Sequence, residues 1–248
     1  MTDDWYDNPL FWHDNYSRMF TPPRMASAGD EIDRILELMG ISPPGEVLDL
    51  CCGPGRHTVE FASKGFSAVG VDLTEGYLEE ARRRAKERGV EIELIRSDMR
   101  DFSRPESFDL AVNLFTSFGF FEDEEDDLRV LRNLRRSLRS GGRLVIELTG
   151  KEILARIFRE RDWHRNGEMI FLEERELTDN WSRMINTWTI IERGGKRSEY
   201  RFTIRLYSAR ELMSAVESCG FREVKSYGSL AGDPYDEAAE RLVVSAVK

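Results

Sequence analysis

The sequence predicts an α/β fold: a doubly wound, seven-stranded, mostly parallel sheet with an antiparallel terminal hairpin and a small antiparallel β insertion. Three observations predict it. An apolar run over 47–52 leads into a glycine-containing turn and then a helical segment. Three more apolar runs, over 68–72, 91–98 and 108–115, follow along the chain, as strands of a doubly wound sheet do. Three stretches between 167 and 207 are rich in β-branched and aromatic residues and alternate in polarity.

The turn after the first predicted strand contains Gly53 and Gly55. Glycine permits positive φ and lets a ligand approach where a Cβ would clash. The amide groups at the start of the next helix would point at that ligand. Many Gly-x-Gly turns only connect elements, so this turn predicts a nucleotide corner only in combination with its neighbours.

The neighbours of the turn support a ligand site. Asp72 ends the second predicted strand, 17 positions after Gly55 (72 − 55), close to the spacing at which a carboxylate binds ribose hydroxyls. Asp98 ends the third strand and Asn113 lies in the fourth. The carboxyl ends of these strands would lie along one sheet edge, where open α/β folds bind ligands.

The order of these motifs resembles that of class I S-adenosylmethionine-dependent methyltransferases. The matching motifs, in order, are Asp49-x-x-x-Gly53-x-Gly55, Asp72, Asp98-Met99, Asn113-Leu114-Phe115 and the strand 142–148. The resemblance covers about residues 24–150 and 208–248, with 151–200 as a variable insertion. Thr58 stands where the third glycine of a dinucleotide fingerprint would be, which disfavours an NAD-linked oxidoreductase.

The resemblance implies S-adenosyl-L-methionine as cofactor. It implies that Asp72 binds the ribose hydroxyls, that Asp98 and Met99 hold the adenine, and that Asp49 braces the loop and meets the methionine amine. Arg24 resembles an arginine that holds the methionine carboxylate in several small-molecule enzymes of this class. The full set of expected cofactor residues is Tyr16, Arg24, Asp49, Gly53, Gly55, Asp72, Leu73, Asp98, Met99, Asn113, Leu114 and Phe115.

The implied function is methyl transfer by in-line displacement to a nitrogen, oxygen or carbon nucleophile of a small molecule. Two alternatives stay open: a protein that binds the cofactor without transferring the methyl group, and an NAD-linked oxidoreductase. The loop 116–121 lacks the [Asn/Asp]-Pro-Pro-[Tyr/Phe] signature of enzymes that methylate exocyclic amines of bases or glutamine amides. Its absence disfavours amine methylation of DNA bases.

No residue stands at a spacing that identifies a general base. Tyr16 and His57 are the candidates, followed by His13 and Glu122. No metal site is predicted, because the three histidines and three cysteines share no ligand spacing. Cys51 and Cys52 are interpreted as small buried residues rather than reactive thiols.

The sequence divides into three predicted parts. Residues 1–28 form an irregular, aromatic N-terminal arm or lid, residues 29–150 and 208–248 form the Rossmann-like cofactor-binding domain, and residues 151–207 form the inserted β subdomain. The insertion could be a substrate platform or a dimer interface. Residues expected to face a substrate are Trp163, His164, Trp188, Arg205 and Tyr207.

Patterns along the chain predict the remaining elements. Helices are expected over 29–40, 76–89, 122–140 and 151–161, and a last helix starts at Ser208 with Glu211 completing a capping box. Gly141 and Gly142 are expected to stop the third of these segments, 122–140. Strands near 222–228 and 241–247 would form the terminal hairpin.

Composition limits the possible partners. The chain has 248 residues and a formal net charge of −10, which argues against a long nucleic acid as partner. No apolar run approaches the roughly 20 residues of a membrane span, and the acidic start is unlike a signal peptide. We therefore expect a cytoplasmic monomer or homodimer that acts on a small molecule, with no membrane partner.

Overall fold

The computed structural model describes residues 4–248 and contains two β-sheets. The strands are β1 Glu46–Leu50, β2 Ser67–Asp72, β3 Glu93–Arg96, β4 Phe108–Asn113, β5 Leu138–Leu148, β6 Arg161–Asn166, β7 Met169–Thr178, β8 Arg183–Ile191, β9 Arg197–Arg205, β10 Arg222–Tyr227 and β11 Leu242–Val247. The helices are α1 Pro9–Met19, α2 Pro22–Ala26, α3 Ala28–Met39, α4 Arg56–Ser63, α5 Glu75–Arg88, α6 Glu124–Ser137, α7 Lys151–Ile157 and α8 Ala209–Ser218. Short 3-10 turns span Trp5–Asp7 and Asp179–Trp181.

The larger sheet has the strand order β10-β11-β5-β4-β1-β2-β3. Strands β1 to β5 are parallel, and β11 runs antiparallel between β5 and β10. The predicted fold class is confirmed. The strand order reverses between β1 and β4, so their carboxyl ends frame a crevice at the topological switch point.

The smaller sheet is a meander of four antiparallel strands, β6-β7-β8-β9. The prediction missed β6 and extended α7 too far, to residue 161. Five of the six residues of β6 are charged or polar, so this strand shows no apolar alternation. Its pairing with β7, from Arg161 opposite Glu174 to Asn166 opposite Met169, holds it in the sheet.

Most of residues 9–26 of the arm are helical, in α1 and α2, whereas an irregular segment was expected. The side chain of Asn8 caps α1 by accepting from the amide of Leu10, and Pro9 begins the helix. Phe11 is buried against Trp188 and Phe202 of the smaller sheet. Aromatic packing against another sheet is a tertiary effect, which local patterns do not show.

The end of α6 also differs from the prediction. The helix ends at Ser137 because Leu138 has extended backbone angles (φ −71°, ψ 145°), and β5 begins there. Gly141 and Gly142 therefore lie inside β5. Elsewhere the terminal hairpin and the capping box of Ser208 and Glu211 are confirmed.

The core of the larger sheet lies on both of its faces. Leu48 and Leu50 of β1 pack with α6 and α8 on one face, and Val47 packs with α3 and α4 on the other. All three side chains are at most 2% exposed. Burial on both faces explains why β1 is a nearly continuous apolar run. Within residues 4–248, no helix has the length and apolar character needed to cross a bilayer.

Candidate functional site

A cavity of about 560 Å³ opens at the carboxyl ends of β1, β2 and β4. Its floor is the larger sheet, and its roof is made by α1 and the inner face of the smaller sheet. The cavity has two halves. One half holds the glycine turn and the strand-end acids, and the other is walled by aromatic and charged side chains of the arm and of β6 to β9.

The two glycines of the turn have different surroundings. Both have positive φ, +56° at Gly53 and +73° at Gly55. Gly53 lines the cavity, and a Cβ there would lie 3.2 Å from the ring of Phe20. Gly55 faces α5, where a Cβ would lie 2.6 Å from the Cβ of Ala81. The glycine at 55 thus permits packing of α4 on α5 and is not part of the cavity wall.

Asp72 closes the glycine turn from the end of β2. Its carboxylate accepts hydrogen bonds from the amides of Gly53 at 2.8 Å and Thr74 at 2.9 Å. Burial raises the pKa of Asp72, and these two donors act against that rise. A carboxylate can accept about four hydrogen bonds, so Asp72 can accept two more from a ligand in the cavity. The remaining acceptor positions fit the two hydroxyl donors of a vicinal diol.

Asp49 lies beneath the turn and also lines the cavity. Thr58 donates its hydroxyl to this carboxylate at 2.6 Å. Burial raises the pKa of Asp49, and the nearby His57 and Thr58 lower it. The geometry matches a residue that braces the loop and presents one remaining face to a ligand.

Asp98 and Met99 lie at the end of β3 and both line the cavity. Arg100 pairs with Asp98 at 2.7 Å and with Asp126 at 3.0 Å. The thioether of Met99 is 3.4 Å from the sulfur of Cys51. Cys51 is half-buried, and desolvation raises the pKa of its thiol well above its usual range, as expected of an unreactive cysteine.

Two arginines stand at the opposite end of the turn. The guanidinium carbon of Arg24 is 4.4 Å from the ring centroid of Phe115, and that of Arg56 is 5.5 Å from the same ring. Arg56 pairs with Glu31 at 2.8 Å and donates to the carbonyl of Arg24 at 3.1 Å. Burial, followed by the positive charge of Arg56, lowers the pKa of Arg24. Arg56 was not predicted as a site residue, although its position directly after Gly55 is visible in the sequence.

Leu73, Leu114 and Phe115 line the cavity, whereas Tyr16 and Asn113, like Gly55, do not. Tyr16 points toward α5, where its hydroxyl is 3.5 Å from Glu80 and 3.3 Å from Arg84. Asn113 is fully buried and donates to the carbonyl of Leu50 at 3.1 Å, which ties β4 to β1 beneath the turn.

The four expected candidates for a general base lie in different parts of the molecule. His57 lines the cavity, and its Nε2 lies 2.6 Å from Glu31. Burial alone would raise the pKa of Glu31, but the hydrogen bond and charge of His57 and the charge of Arg56 lower it to about 2. Tyr16 is outside the wall, the His13 side chain is 84% exposed, and Glu122 is exposed.

The second half of the cavity contains charged residues that were not predicted from the sequence as site residues. Glu173 and Arg175 point inward from β7, and Arg18 reaches them from α1. Arg18 and Arg175 both form ion pairs with Glu173, and His164 Nδ1 lies 3.9 Å from the same carboxylate. The alternation of β7 places 171, 173, 175 and 177 on one face. That alternation was readable, but which face met the cavity was not.

Of the residues expected to face a substrate, His164 and Trp188 line this cavity. Trp163 is 66% exposed on the outer face of the smaller sheet, because neighbouring strand residues point to opposite faces. Arg205 and Tyr207 instead bind the buried carboxylate of Asp127, at 3.2 Å and 2.8 Å, and line an adjoining cavity. In residues 4–248, no cluster of three or more metal-ligating side chains occurs.

Comparison with known proteins agrees with this geometry. Residues 47–142 match the family model described as a methyltransferase domain. The chain is 31% identical over 180 residues to the dTDP-4-amino-2,3,4,6-tetradeoxy-D-glucose N,N-dimethyltransferase of Saccharopolyspora spinosa, covering 71% of each chain. It is 31% identical over 101 residues, covering 41% of each chain, to the dTDP-3-amino-3,4,6-trideoxy-alpha-D-glucopyranose N,N-dimethyltransferase of Streptomyces venezuelae.

Solved structures share the whole fold at low sequence identity. The CcbJ methyltransferase of Streptomyces caelestis superposes with a TM-score of 0.81 at 16% identity, over 98% of this chain and 97% of that one. An S-adenosylmethionine-dependent methyltransferase of Clostridium acetobutylicum gives 0.80 at 17% identity, over 96% and 97%. These findings remove the NAD-linked alternative. The chain belongs to the S-adenosylmethionine-dependent methyltransferases and is an enzyme with S-adenosylmethionine as its cofactor.

Proposed function

We propose that the enzyme methylates an amine of a small molecule held in the second half of the cavity, with S-adenosylmethionine in the first half. The observation that carries this proposal is the composition of the second half, where aromatic rings line the same cavity as the buried carboxylate of Glu173. Its aromatic members are Trp5, Phe11, Trp12, Phe120, Trp188 and Phe202.

The proposed cofactor half follows from the donor and acceptor groups that line it. Asp72 takes the ribose hydroxyls, Asp98 and Met99 hold the adenine, and Asp49 meets the methionine amine. Arg24 binds the methionine carboxylate, aided by Arg56, because a guanidinium suits a carboxylate. Asn113, Gly55 and Tyr16 support this half from outside the wall. When bound, the cofactor supplies an electrophilic methyl group on a sulfonium.

The aromatic half suits an amine for electrostatic reasons. Ring faces carry negative potential and attract cations, so they favour both a sulfonium and an ammonium. The six rings contact one another closely: Trp5 lies 4.8 Å from both Phe120 and Phe202, and Trp188 lies 4.6 Å from Phe202. Such walls exclude water and hold the acceptor in line with the methyl group, which can lower the barrier by several kcal/mol.

An ammonium must lose a proton before it can attack, and His164 with Glu173 is the proposed route for that proton. The imidazole stacks on Phe171 with centroids 5.0 Å apart and is 3.9 Å from the Glu173 carboxylate. A carboxylate beside an imidazole stabilises the imidazolium that forms. We place His57 at the cofactor half, where it orients Glu31 and does not take the proton.

The names of similar proteins support an amine acceptor. The two relatives described above are both named N,N-dimethyltransferases of amino sugars, and a third relative is named a glycine/sarcosine N-methyltransferase. This last protein, of Aphanothece halophytica, is 24% identical over 230 residues, covering 90% of this chain and 79% of that one. Nitrogen is thus the acceptor atom that we favour among nitrogen, oxygen and carbon.

The test is a matched panel of amines, phenols and carboxylic acids incubated with the enzyme and S-adenosylmethionine. Release of S-adenosylhomocysteine and product mass report turnover. We expect amine products that are heavier by one or two methyl groups. We also expect the rate to rise with pH as the acceptor loses its proton, which gives a sigmoidal or bell-shaped pH profile. Turnover of phenols or acids with no amine turnover would refute the proposal.

A paired variant tests the proton route. His164→Gln should lower the rate at neutral pH by at least tenfold, and less at pH 9, where the free amine is abundant. His13→Gln, which changes an exposed histidine of α1, is the control. An equal loss at both pH values would assign His164 a packing role.

A further inference from the structure

We propose that the methyl acceptor carries an anionic oxygen group, a carboxylate or a phosphate, which Arg18 and Arg175 bind at the far end of the cavity. This inference rests on the proposed function and narrows the substrate class to amines that also bear an anion. Three observations carry it: an excess of buried positive charge, unpaired hydrogen-bond donors of one kind, and space beside Arg175.

The first observation is the charge at the end of the cavity. Two guanidinium groups, from Arg18 and Arg175, share the single carboxylate of Glu173. Their side chains are 14% and 19% exposed, and that of Glu173 is 6% exposed. One positive charge is therefore left over in a partly desolvated place. Such a charge is costly unless a partner neutralises it.

The other charged groups nearby do not remove this excess. Burial lowers the pKa of Arg175, and the negative charge of Asp162 raises it again. Asp162 is 41% exposed and lies 3.6 Å from Arg159, with which it forms its own ion pair. His164 can add positive charge but no negative charge. The cluster as a whole therefore favours an anion.

The second observation concerns buried polar atoms. Within residues 4–248, Nη1 of Arg18, Nε1 of Trp188 and Nε1 of Trp5 are buried without a hydrogen-bond partner. All three belong to residues that line the cavity, and all three are donors. A buried donor without an acceptor costs about 1–3 kcal/mol. A bound molecule that presents oxygen acceptors would satisfy them, and an additional donor would not.

The positions of these donors suit one ligand. The guanidinium of Arg18 lies over the Trp188 ring, 3.5 Å from its centroid. Trp5 and Trp188 pack on the same ring, that of Phe202, at 4.8 Å and 4.6 Å. The donors are thus spread along one wall rather than scattered through the protein.

The third observation is the space beside Arg175. A second cavity of about 460 Å³ adjoins the first, and both are lined by Thr116, Arg175, Met184 and Ile204. Arg175 stands at this junction, in a cross-strand row with Asn186 and Phe202. An anionic group bound there could be as small as a carboxylate or could extend a phosphate ester into the second cavity.

The experiment compares three acceptors that differ in one group: glucosamine, glucosaminic acid and glucosamine 6-phosphate. We expect kcat/KM for at least one charged acceptor to exceed that of glucosamine tenfold or more. Arg18→Gln and Arg175→Gln should each remove that preference, lowering kcat/KM for the charged acceptor at least tenfold more than kcat/KM for glucosamine. Arg165→Gln changes an exposed arginine of β6 and should change nothing. The better charged acceptor identifies carboxylate or phosphate.

A binding measurement separates this inference from the proposed function. Acetate and inorganic phosphate are titrated into the enzyme with S-adenosylhomocysteine present, and tryptophan fluorescence reports on Trp188 beside Arg18. We expect a saturable change in the wild type and in Arg165→Gln, and at least tenfold weaker binding in Arg18→Gln. Arg18→Lys keeps the charge and should bind with intermediate affinity, provided that all variants melt as cooperatively as the wild type.

The outcomes are distinct. Saturable anion binding that depends on Arg18, without turnover of any amine, would refute the amine acceptor and keep the anion site. Amine turnover with no preference for charged acceptors, and no anion binding, would overturn the anion site and keep the proposed function.

Discussion

The carboxylate of Asp72 lies 2.8 Å from the amide nitrogen of Gly53, so the end of the second strand holds the loop that follows the first. The same carboxylate lines the cavity. Asp72 thus links the loop to the cavity wall, and we expect its removal to affect both the loop and cofactor binding.

Asp72→Ala should weaken S-adenosylmethionine binding by about 1–3 kcal/mol, or roughly five- to 150-fold in Kd, because a charged acceptor is lost. Calorimetric titration measures the change. Asp101→Ala, at an exposed acid beyond β3, is the matched control and should bind normally. Unchanged affinity in Asp72→Ala would argue against the ribose assignment.

Gly55→Ala should destabilise the fold by about 2–4 kcal/mol, through overpacking against Ala81 and a non-glycine residue at φ +73°. Urea unfolding measures it. Gly89→Ala is the control, since Gly89 has φ +66° with no atom within 4 Å of the added Cβ, and should cost only about 1–2 kcal/mol. When Gly55→Ala is measured in an Ala81→Gly background, its cost should fall toward that of Gly89→Ala, and this comparison removes the separate cost of a glycine inside α5. No such fall would mean that the contact is not the cause.

Glu31 should support stability above pH 4.5 and lose that effect as the pH falls. The folded pKa is about 2, below the ordinary value of 4.5, so the native state binds fewer protons than the unfolded chain between these limits. Glu31→Gln should lower the free energy of unfolding at pH 7 by on the order of 3 kcal/mol. The difference should close as the pH approaches 2.

Unfolding in denaturant across this pH range provides the measurement. Asp33→Asn, which removes an exposed carboxylate paired with Lys64 at 2.6 Å, should cost less than about 1 kcal/mol at every pH. A Glu31→Gln penalty that does not vary with pH would show that the side chain acts by shape and not by charge.

The buried carboxylate of Asp127 should give the opposite dependence of stability on pH. Burial raises its pKa to about 6, although Tyr207 and Arg205 lower it from a still higher value. Stability should therefore fall as the pH rises from the ordinary carboxylate range through about 6. Arg205→Gln leaves this carboxylate without its cation and should cost about 3 kcal/mol at pH 8, but less at pH 5, where Asp127 is largely protonated.

The control for that measurement is Arg183→Gln. Arg183 also donates to the carbonyl of Glu122 but contacts the exposed Asp179 instead of Asp127. Its penalty should be small and equal at both pH values. An Arg205→Gln penalty independent of pH would contradict the pairing with a charged Asp127.

Two tryptophans of the smaller sheet test which of its faces meets the substrate. Trp188→Ala should lower kcat/KM by at least tenfold, because its ring supports Arg18 and the aromatic wall. Trp163→Ala, on the outer face, should change kcat/KM less than twofold. Steady-state kinetics with any accepted amine measures both variants. Equal losses of kcat/KM would mean that the acceptor does not bind against the inner face of the smaller sheet.

The cofactor half could be predicted in outline because its chemistry is local in sequence. A strand, a turn with positive φ and a helix need only the residues of 47–58. Asp72 ends β2, and Asp98 lies two positions after the end of β3. Strand order then places these ends on one edge. What the pattern could not show is that Gly55 faces Ala81 and that Asn113 points inward, since both depend on how neighbouring elements pack.

The acceptor half could not be predicted, because it is assembled from distant segments. Arg18 and Glu173 are far apart along the chain, and each looks like an ordinary surface residue of its own element. Residue alternation in β7 separated two faces but could not tell which one would meet α1. The helix of the arm was not predicted, because it is stabilised by aromatic contacts with the smaller sheet that the arm's own sequence does not show.

By itself, the sequence determined the fold class and the strand-end acids of the cofactor half, because these depend on local backbone preferences and on the period of apolar residues; the family followed from the resemblance of its ordered motifs. Only the tertiary structure decided which arginines, carboxylates and aromatic rings meet in the second half of the cavity. The physical reason is that burial and charge pairing between distant segments arise when the two sheets close on the arm, and neither is visible in any single stretch of chain.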